Sequence, residues 1–569
     1  MNKSQDIIQN LKTSIEQVAI KMGIENPEVH IEHPDDISYG DFSSNIALIY
    51  SKQLKTNPKA LAEKIIEELK KEMPENVESV SIAGPGFINF RFASKYFLNQ
   101  LDKILKNGNK YGRSLENKKT VLVEYSSPNI AKPFTVGHLR STIIGDAIAN
   151  ILNFSGYNIV RDNHLGDWGT QFGKLTVALE KWGNLVEIEK SESPIKELVA
   201  LYVRFHEEAE KDPALEDMAR EKFQLLEEGN SPEIRKTWEK CIELSKKEFE
   251  RIYEQLGVKF DTQIGESFYA TPEMIEKVMQ ELVGKNLIKE SEGAQVVFFE
   301  KIGESEKYPP LIIKKTDGTS IYATRDLAAD IYRKEKYGND VTIINEVGSE
   351  QILYFRQLYE TEKMMGWFQE GQRVHIAHGL LRLKEGGKIS TRKGNVIWLE
   401  DLIREAVERA GKINQESAHE VAMAALKFND LKRDSPQDII FDWDEMMSMT
   451  GDSGPYLQYS CVRARSVLAK AESLGINPTI NIESKTENLE RLLVRFPEVV
   501  ERAGIEYKAN ILASYLINLA AQFNNFYANN IIADEKDPES PHKTALTKAF
   551  DIVMANGLGL LGIKVPKRM

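Results

Sequence analysis

Two short stretches carry most of the chemistry that this sequence offers. The first, Pro133-Phe134-Thr135-Val136-Gly137-His138-Leu139-Arg140, follows the apolar run Val121-Leu122-Val123. It opens a segment in which Ile143, Ile144, Ala147, Ile148, Ile151 and Leu152 recur at helical spacing. A helix that starts there turns unpaired backbone N–H groups and the positive end of its dipole toward whatever lies beyond the strand, which suits a phosphate. Gly137 lets backbone approach a ligand, and His138 in the first turn can donate to phosphate oxygens. A Gly-His pair alone more often marks ordinary capping. The second stretch lies about 250 residues on, where Gly387-Lys388-Ile389-Ser390-Thr391-Arg392-Lys393-Gly394 sets three cations between two glycines. A loop of that composition is suited to a departing pyrophosphate, because contacts made as charge develops lower the barrier. By itself it reads equally well as a solvated surface loop.

The elements that must position these residues are legible around them. Gly156 ends the helix that begins near Gly137, and Asn158-Ile159-Val160 starts a second strand. Strand, helix and strand with short connections predict a right-handed parallel unit of an open α/β sheet. Val341–Asn345 and Val374–Ala377 are two further strands, so the sheet unit spans residues 116–402. Two insertions are expected within it, at about 174–260, charge-dense and helical in period, and at about 271–319. In the second, Asp317-Gly318 between Leu311-Ile312-Ile313 and Ser320-Ile321-Tyr322 predicts a hairpin. Residues 1–115 form a separate α/β module. Ile7, Ile8, Leu11, Ile15 and Val18 share one helical face there, and Ala83-Gly84-Pro85-Gly86 turns into the strand Phe87–Phe92. Residues 403–569 read as a helical bundle with Leu512, Tyr515, Leu516, Leu519, Phe523 and Phe526 on its buried face, and Glu472–Asn488 as a mobile connection.

Bulk properties exclude several function classes. The length of 569 residues exceeds one hydrophobic core and predicts three to four domains. No apolar run approaches the roughly 20 residues of a membrane span, and the polar N-terminus is unlike a signal peptide, so no membrane association and a cytoplasmic location are expected. Cys241 and Cys461 stand far apart, which argues against disulfides and against structural zinc. A net charge of −12 excludes nonspecific nucleic-acid binding by the whole surface, but Gly379–Asn395 holds five cations against one acid, so local RNA contact remains open. Gly557-Leu558-Gly559-Leu560-Leu561-Gly562 mimics a dinucleotide fingerprint with only seven residues after it, too few for the motif's helix and strand. His375 and His378 have ligand-like spacing without a third ligand and read as structural, so no metal site is expected.

Together the two cationic and histidine-bearing stretches resemble the His-x-Gly-His and KMSKS signatures of class I aminoacyl-tRNA synthetases. Glu124-Tyr125-Ser126-Ser127-Pro128-Asn129-Ile130-Ala131-Lys132-Pro133-Phe134, Asn163-His164-Leu165-Gly166-Asp167-Trp168-Gly169 and Tyr322-Ala323-Thr324-Arg325-Asp326 are similar to segments of the arginyl-tRNA synthetases. So are Gly40-Asp41-Phe42-Ser43-Ser44-Asn45, Gly451–Tyr459 and the ending Leu561–Met569, so the resemblance runs nearly end to end. It implies a Rossmann-like catalytic domain with helical insertions, an N-terminal domain that holds the tRNA elbow and a C-terminal helical anticodon-binding domain. The implied activity is ATP-dependent activation of L-arginine to arginyl-adenylate, with Mg2+ accompanying ATP, and transfer to the terminal adenosine of tRNA-Arg. Carried over by residue, His138, Lys388, Arg392 and Lys132 are catalytic, and Thr135, Gly137, His138, Lys388 and Ser390 bind ATP. Glu124, Ser126, Asn129, Tyr322, Asp326 and Gln351, with Glu350 as an alternative to the last, bind arginine. Asn45, Tyr456, Tyr459 and Met569 bind tRNA, and a monomer is the expected state. Chemistry supports the substrate independently, since carboxylates grip a planar guanidinium in bidentate fashion and Asp326 follows Tyr322 by one helical turn. One position departs from the family pattern: Thr135 stands where the first histidine is usual, leaving His138 and Lys132 to face the phosphates.

Overall fold

A computed structural model describes residues 3–34, 36–299, 308–316, 321–383 and 397–569. The N-terminal region is a three-stranded antiparallel sheet in the order β1 (Phe42–Ser44), β3 (Phe87–Phe92), β2 (Val77–Ala83), packed by the helices Lys3–Lys21, Pro58–Leu69 and Ser94–Asn107. Leu11, Ile15 and Val18 of the first helix are buried against Leu61, Ile65, Phe90 and Phe92, as the helical spacing requires. Asp41 ties this region to the C-terminal helices, with one oxygen on the Phe92 N–H at 2.7 Å and the other on Arg491.

The central sheet holds five parallel strands in the order β11 (Arg373–His378), β10 (Thr342–Gly348), β4 (Thr120–Glu124), β5 (Asn158–Leu165), β6 (Thr262–Gly265). The chain reverses its winding between β4 and β10, and in such sheets ligands sit outside the carboxyl ends at that point. The helix Val136–Phe154 rises there, buried on nearly all sides, which explains why apolar residues surround it rather than stripe it. Of the sheet strands, β6 was not expected from sequence. Thr262-Gln263-Ile264-Gly265 is a short edge strand with no apolar alternation to mark it.

Three readings of the sequence need correction. The turn expected at Asp317-Gly318 lies outside the described residues, as do all of 317–320, but Ile321-Tyr322, read as the second strand of a hairpin, opens the helix Tyr322–Tyr337. The helical period of Ala323, Leu327, Ala328 and Ile331, all buried, sets the course of the chain from Tyr322 onward. β9 (Leu311–Lys314) instead pairs with β8 (Ala294–Val297), which pairs with β7 (Ile288–Ser291). The region after Ile403 is not wholly helical, because β13 (Ile439–Phe441) pairs in parallel with β12 (Leu381–Leu383). The connection 472–488 is tied down: the Thr479 N–H donates to Pro541 O at 3.0 Å, and Asn481 and Ser484 each reach Glu539 at 3.1 Å.

The remaining C-terminal pattern behaves as read. Leu512, Leu516, Leu519 and Phe523 are fully buried on the helix Ala509–Asn529. Gly557 lies in the helix Ser540–Leu560, and a methyl group there would meet Leu516 Cδ2 at 2.5 Å. That glycine serves helix packing, not dinucleotide binding.

Candidate active site

A cleft of about 610 Å³ opens at the carboxyl ends of the sheet strands. Its floor is the loop after β4, which carries Ser126, Ser127 and Ala131 in the left-handed region at φ of 72°, 43° and 55°. Non-glycine residues there cost about 1–3 kcal/mol each unless their surroundings hold them. Three side chains do so: Ser141 Oγ accepts from the Ser126 N–H at 2.9 Å, Asn163 Oδ1 from the Ser127 N–H at 3.1 Å, and Ser245 Oγ from the Ala131 N–H at 2.9 Å. Gly166 closes the floor, because any side chain on it would run into Asn129 Oδ1 at 2.3 Å.

One end of the cleft is acidic. Glu124, at the tip of β4, is buried and its Oε2 lies 2.5 Å from Arg333 Nη2. The same guanidinium holds Asp162 at 2.6 Å and Asp330 at 3.0 Å, and Arg373 continues the chain from Asp330 to Glu362 at 2.7 Å each. Four carboxyl groups thus face two guanidinium groups. Burial pushes Glu362 well above the usual carboxylate range, whereas Asp330 stays below it because Arg373 and Arg333 outweigh its burial. Asp326 stands in the second turn of the helix Tyr322–Tyr337, where Tyr354 donates its hydroxyl to Oδ2 and His164 Nε2 lies 3.9 Å from Oδ1. Burial, assisted by Glu266 and Glu124 and opposed by His164 and Tyr354, raises Asp326 to about 7. Both ring nitrogens of His164 are buried without a hydrogen-bond partner among the described residues, and the ring stacks on Tyr269 at 5.5 Å. Tyr322 covers the mouth with its ring 4.7 Å from Tyr354. Asn129, Gln351 and Glu350 also line the cleft, the last two from the short helix Ser349–Gln351. Ser126 lines it as well, but its hydroxyl is engaged by Tyr253 and Thr142 at 2.8 Å each.

The other end is a helix start. His138 Nδ1 accepts from the Thr135 backbone N–H at 3.1 Å, and burial lowers the ring's pKa to about 4. The ring is therefore neutral, with its proton on Nε2. The Thr135 hydroxyl is also 3.1 Å from Nδ1, so this threonine addresses His138 rather than open cleft. Gly137 lines the cleft at the first turn. Lys132 does not: it is half-buried beside this region, with its pKa lowered by burial. Lys388, Ser390 and Arg392 lie outside the described residues, yet both flanks of their segment border the site. Leu381 lines the cleft, Trp398 pairs with Thr135, and the Leu399 N–H donates to Phe134 O at 2.9 Å. Among the described residues no cluster of His, Cys, Asp and Glu is arranged to hold a metal.

The residues assigned to RNA fall into two groups. On the C-terminal helices, Tyr459 and Tyr527 sandwich the Arg463 guanidinium at 4.7 and 4.8 Å, and Arg463 donates to Asn524, which donates to the Tyr456 hydroxyl at 3.0 Å. Tyr456 and Met569 also pack against the core, so each is partly structural. Asn45 sits at the start of the helix Ile46–Tyr50, remote in the N-terminal region, and its buried Oδ1 has no partner among the described residues. Sequence reasoning missed Arg333, Tyr354, Arg463, Asn524 and Tyr527. It quoted His164 without giving it a role. The Arg463 spacing to Tyr459, one helical turn, was the available signal.

A parallel sheet with a helix start opening into a cleft at its switch point, followed by a helical domain, is the architecture of a class I synthetase. The family model for the class I catalytic domain of arginyl type matches residues 100–443, that for the DALR anticodon-binding domain residues 457–569, and that for the arginyl-tRNA synthetase N-terminal domain residues 5–92. The arginine–tRNA ligase of Clostridium perfringens is 41% identical over 568 residues, covering 97% of this chain and 98% of the relative. That of Streptococcus thermophilus is 40% identical, covering 98% and 99%. The arginyl-tRNA synthetase structure from Thermus thermophilus superposes with a TM-score of 0.83 at 24% identity, covering 99% of this chain and 100% of the other. That from Plasmodium falciparum gives 0.79 at 25% identity, covering 99% of each. The chain belongs to the arginyl-tRNA synthetases.

Proposed function

We propose that the cleft activates L-arginine with MgATP and delivers the arginyl group to the terminal adenosine of tRNA-Arg. In the first step an oxygen of arginine's carboxylate attacks the α-phosphorus as the bond to the β-phosphate breaks, giving arginyl-adenylate and pyrophosphate. In the second a ribose hydroxyl, the 2′ by class resemblance, attacks the arginyl carbonyl and AMP leaves. Neither step needs a protein nucleophile, so the protein's work is positioning and charge stabilisation. Asp326, with Glu124 behind it and Tyr322 above, holds the guanidinium. Asn129 and Gln351 orient the amino acid's other end. His138 donates from Nε2 to the phosphates, and Lys388 and Arg392, with Ser390, attend the departing pyrophosphate. Mg2+ arrives with the nucleotide. Asn45 serves the tRNA elbow, while Tyr456, Tyr459 and Met569 meet splayed anticodon bases.

The observation that carries this reading is the acid-walled end of the cleft, lined by Glu124 and Asp326, opposite the helix-start imidazole. The division of labour follows residues 1–115, 116–402 and 403–569, and the protein acts in the cytoplasm as a monomer. Pyrophosphate exchange into ATP tests the activity. Exchange is expected only with arginine and its tRNA together, because the family resemblance implies a site completed by RNA. Robust exchange without tRNA contradicts that dependence, and no exchange with both present contradicts the activity itself.

A further inference from the structure

Two histidines on β11 have different surroundings. His375 Nε2 lies 3.3 Å from Val347 O, and its ring is 4.7 Å from that of Phe355. It is the structural residue that its strand position suggests. His378, at the carboxyl end of the strand, instead lines the cleft beside Gly137 and His138, with Nδ1 2.7 Å from Glu346 Oε1. Glu346 lies on β10 with only 1% of its surface exposed, and its Oε2 has no hydrogen-bond partner among the described residues. With Nδ1 donating to this carboxylate in either protonation state, Nε2 is the nitrogen whose role changes. It accepts when the ring is neutral and donates when the ring is charged.

We infer that His378, held by Glu346, is a second imidazole of the nucleotide half and donates from Nε2 to an acceptor oxygen of bound ATP. This rests on reading that half as the ATP site. It supplies the donor that Thr135, turned onto His138, does not. The charged groups around His378 decide its state. Burial disfavours the charged ring, as does Arg140 on the helix Val136–Phe154; His138 on that helix and His375 on the same strand are themselves held toward the neutral form by burial. Glu346 on β10 and Asp430 on the helix Ala418–Leu431 favour it, and the balance puts His378 above the ordinary 6.5. Donation to ATP is therefore present below the raised pKa and is lost as pH rises through it.

The test is the KM for ATP in pyrophosphate exchange, with arginine and tRNA saturating, from about pH 6 to about pH 9. The wild-type KM for ATP is expected to climb with pH above the His378 pKa. His378→Asn is expected to raise it about tenfold at low pH, to flatten the climb and to leave the KM for arginine within about twofold. Glu346→Gln shifts the climb to lower pH. An unchanged KM for ATP in His378→Asn, a climb that persists in it, or equal rises in both KM values overturns the proposal. If His378→Asn does not fold, the direction of the Glu346→Gln shift decides alone. Failure of the wild-type protein to exchange at all instead overturns the ATP-site reading.

Discussion

At the acidic end of the cleft, charge is built into the sheet: Glu124, Asp162 and Asp330 converge on Arg333, and Asp326 stands beside them half titrated near neutrality. At the other end lies a helix start with the His138 imidazole, held neutral by burial, and the cations assigned to that end by resemblance fall on a segment whose flanks alone are described. The difference matches the ligands proposed for the two ends. A guanidinium keeps its charge throughout the reaction, so a fixed acidic wall serves it from binding to release. Phosphate charge moves as pyrophosphate departs, and groups that bind it equally at every stage would not accelerate the step.

The comparison can be broken first at Arg333. Arg333→Met leaves Glu124, Asp162 and Asp330 buried without their common partner. A loss of about 3–5 kcal/mol in urea unfolding is expected. A variant of wild-type stability would mean that the acidic wall does not depend on this internal guanidinium. Next in size is Asp326→Asn, which sets an amide donor against guanidinium donors. It is expected to reduce kcat/KM for arginine by about tenfold to several hundredfold while the KM for ATP stays put. Normal arginine kinetics with a lowered Tm would make Asp326 a structural residue.

The acidity of Asp326 gives a third prediction with a definite sign. Its folded-state pKa, about 7, stands above the ordinary 3.8, so arginine must find it ionised. The KM for arginine is expected to rise as pH falls below about 7, approaching tenfold per pH unit. The ligand-free fold behaves oppositely: the stability contributed by the raised pKa is full below 3.8 and is lost as pH rises through about 7. An arginine KM that is flat from pH 6 to about 8 would sink both statements. The smallest effect is expected at the helix start. Thr135→Val removes the hydroxyl beside His138 Nδ1 but leaves the backbone donor, so activation falls by about two- to tenfold. Thr135→Ser restores the rate. Equal rates in all three proteins would deny the hydroxyl any part in orienting His138.

Much of this arrangement is legible before folding. Val121-Leu122-Val123, the helix after Gly137, Gly156 and Asn158-Ile159-Val160 each carry a local signal, and the structure places them as one βαβ unit. Glu124, Tyr322 and Asp326 meet at the cleft because Glu124 ends a strand, Tyr322 opens a helix and Asp326 follows it by one turn, positions that sequence can locate. The pairing of Glu124 with Arg333 was not legible, since Arg333 lies more than 200 residues on, two turns beyond Asp326 in the same helix, and nothing in its local pattern marks an inward charge. Thr135 was readable only as a missing histidine; its hydroxyl's turn toward His138 depends on the helix-start geometry. The Asp41–Arg491 tie joins opposite ends of the chain, so no local pattern reveals it.

The claim that an acid near neutrality receives the substrate's guanidinium is tested most directly by calorimetry of arginine binding in buffers of different ionisation enthalpy. With Asp326 at about 7, binding at that pH is expected to release about half a proton, and Asp326→Asn to release none. Equal proton release by the two proteins, or none by the wild type, would contradict the account.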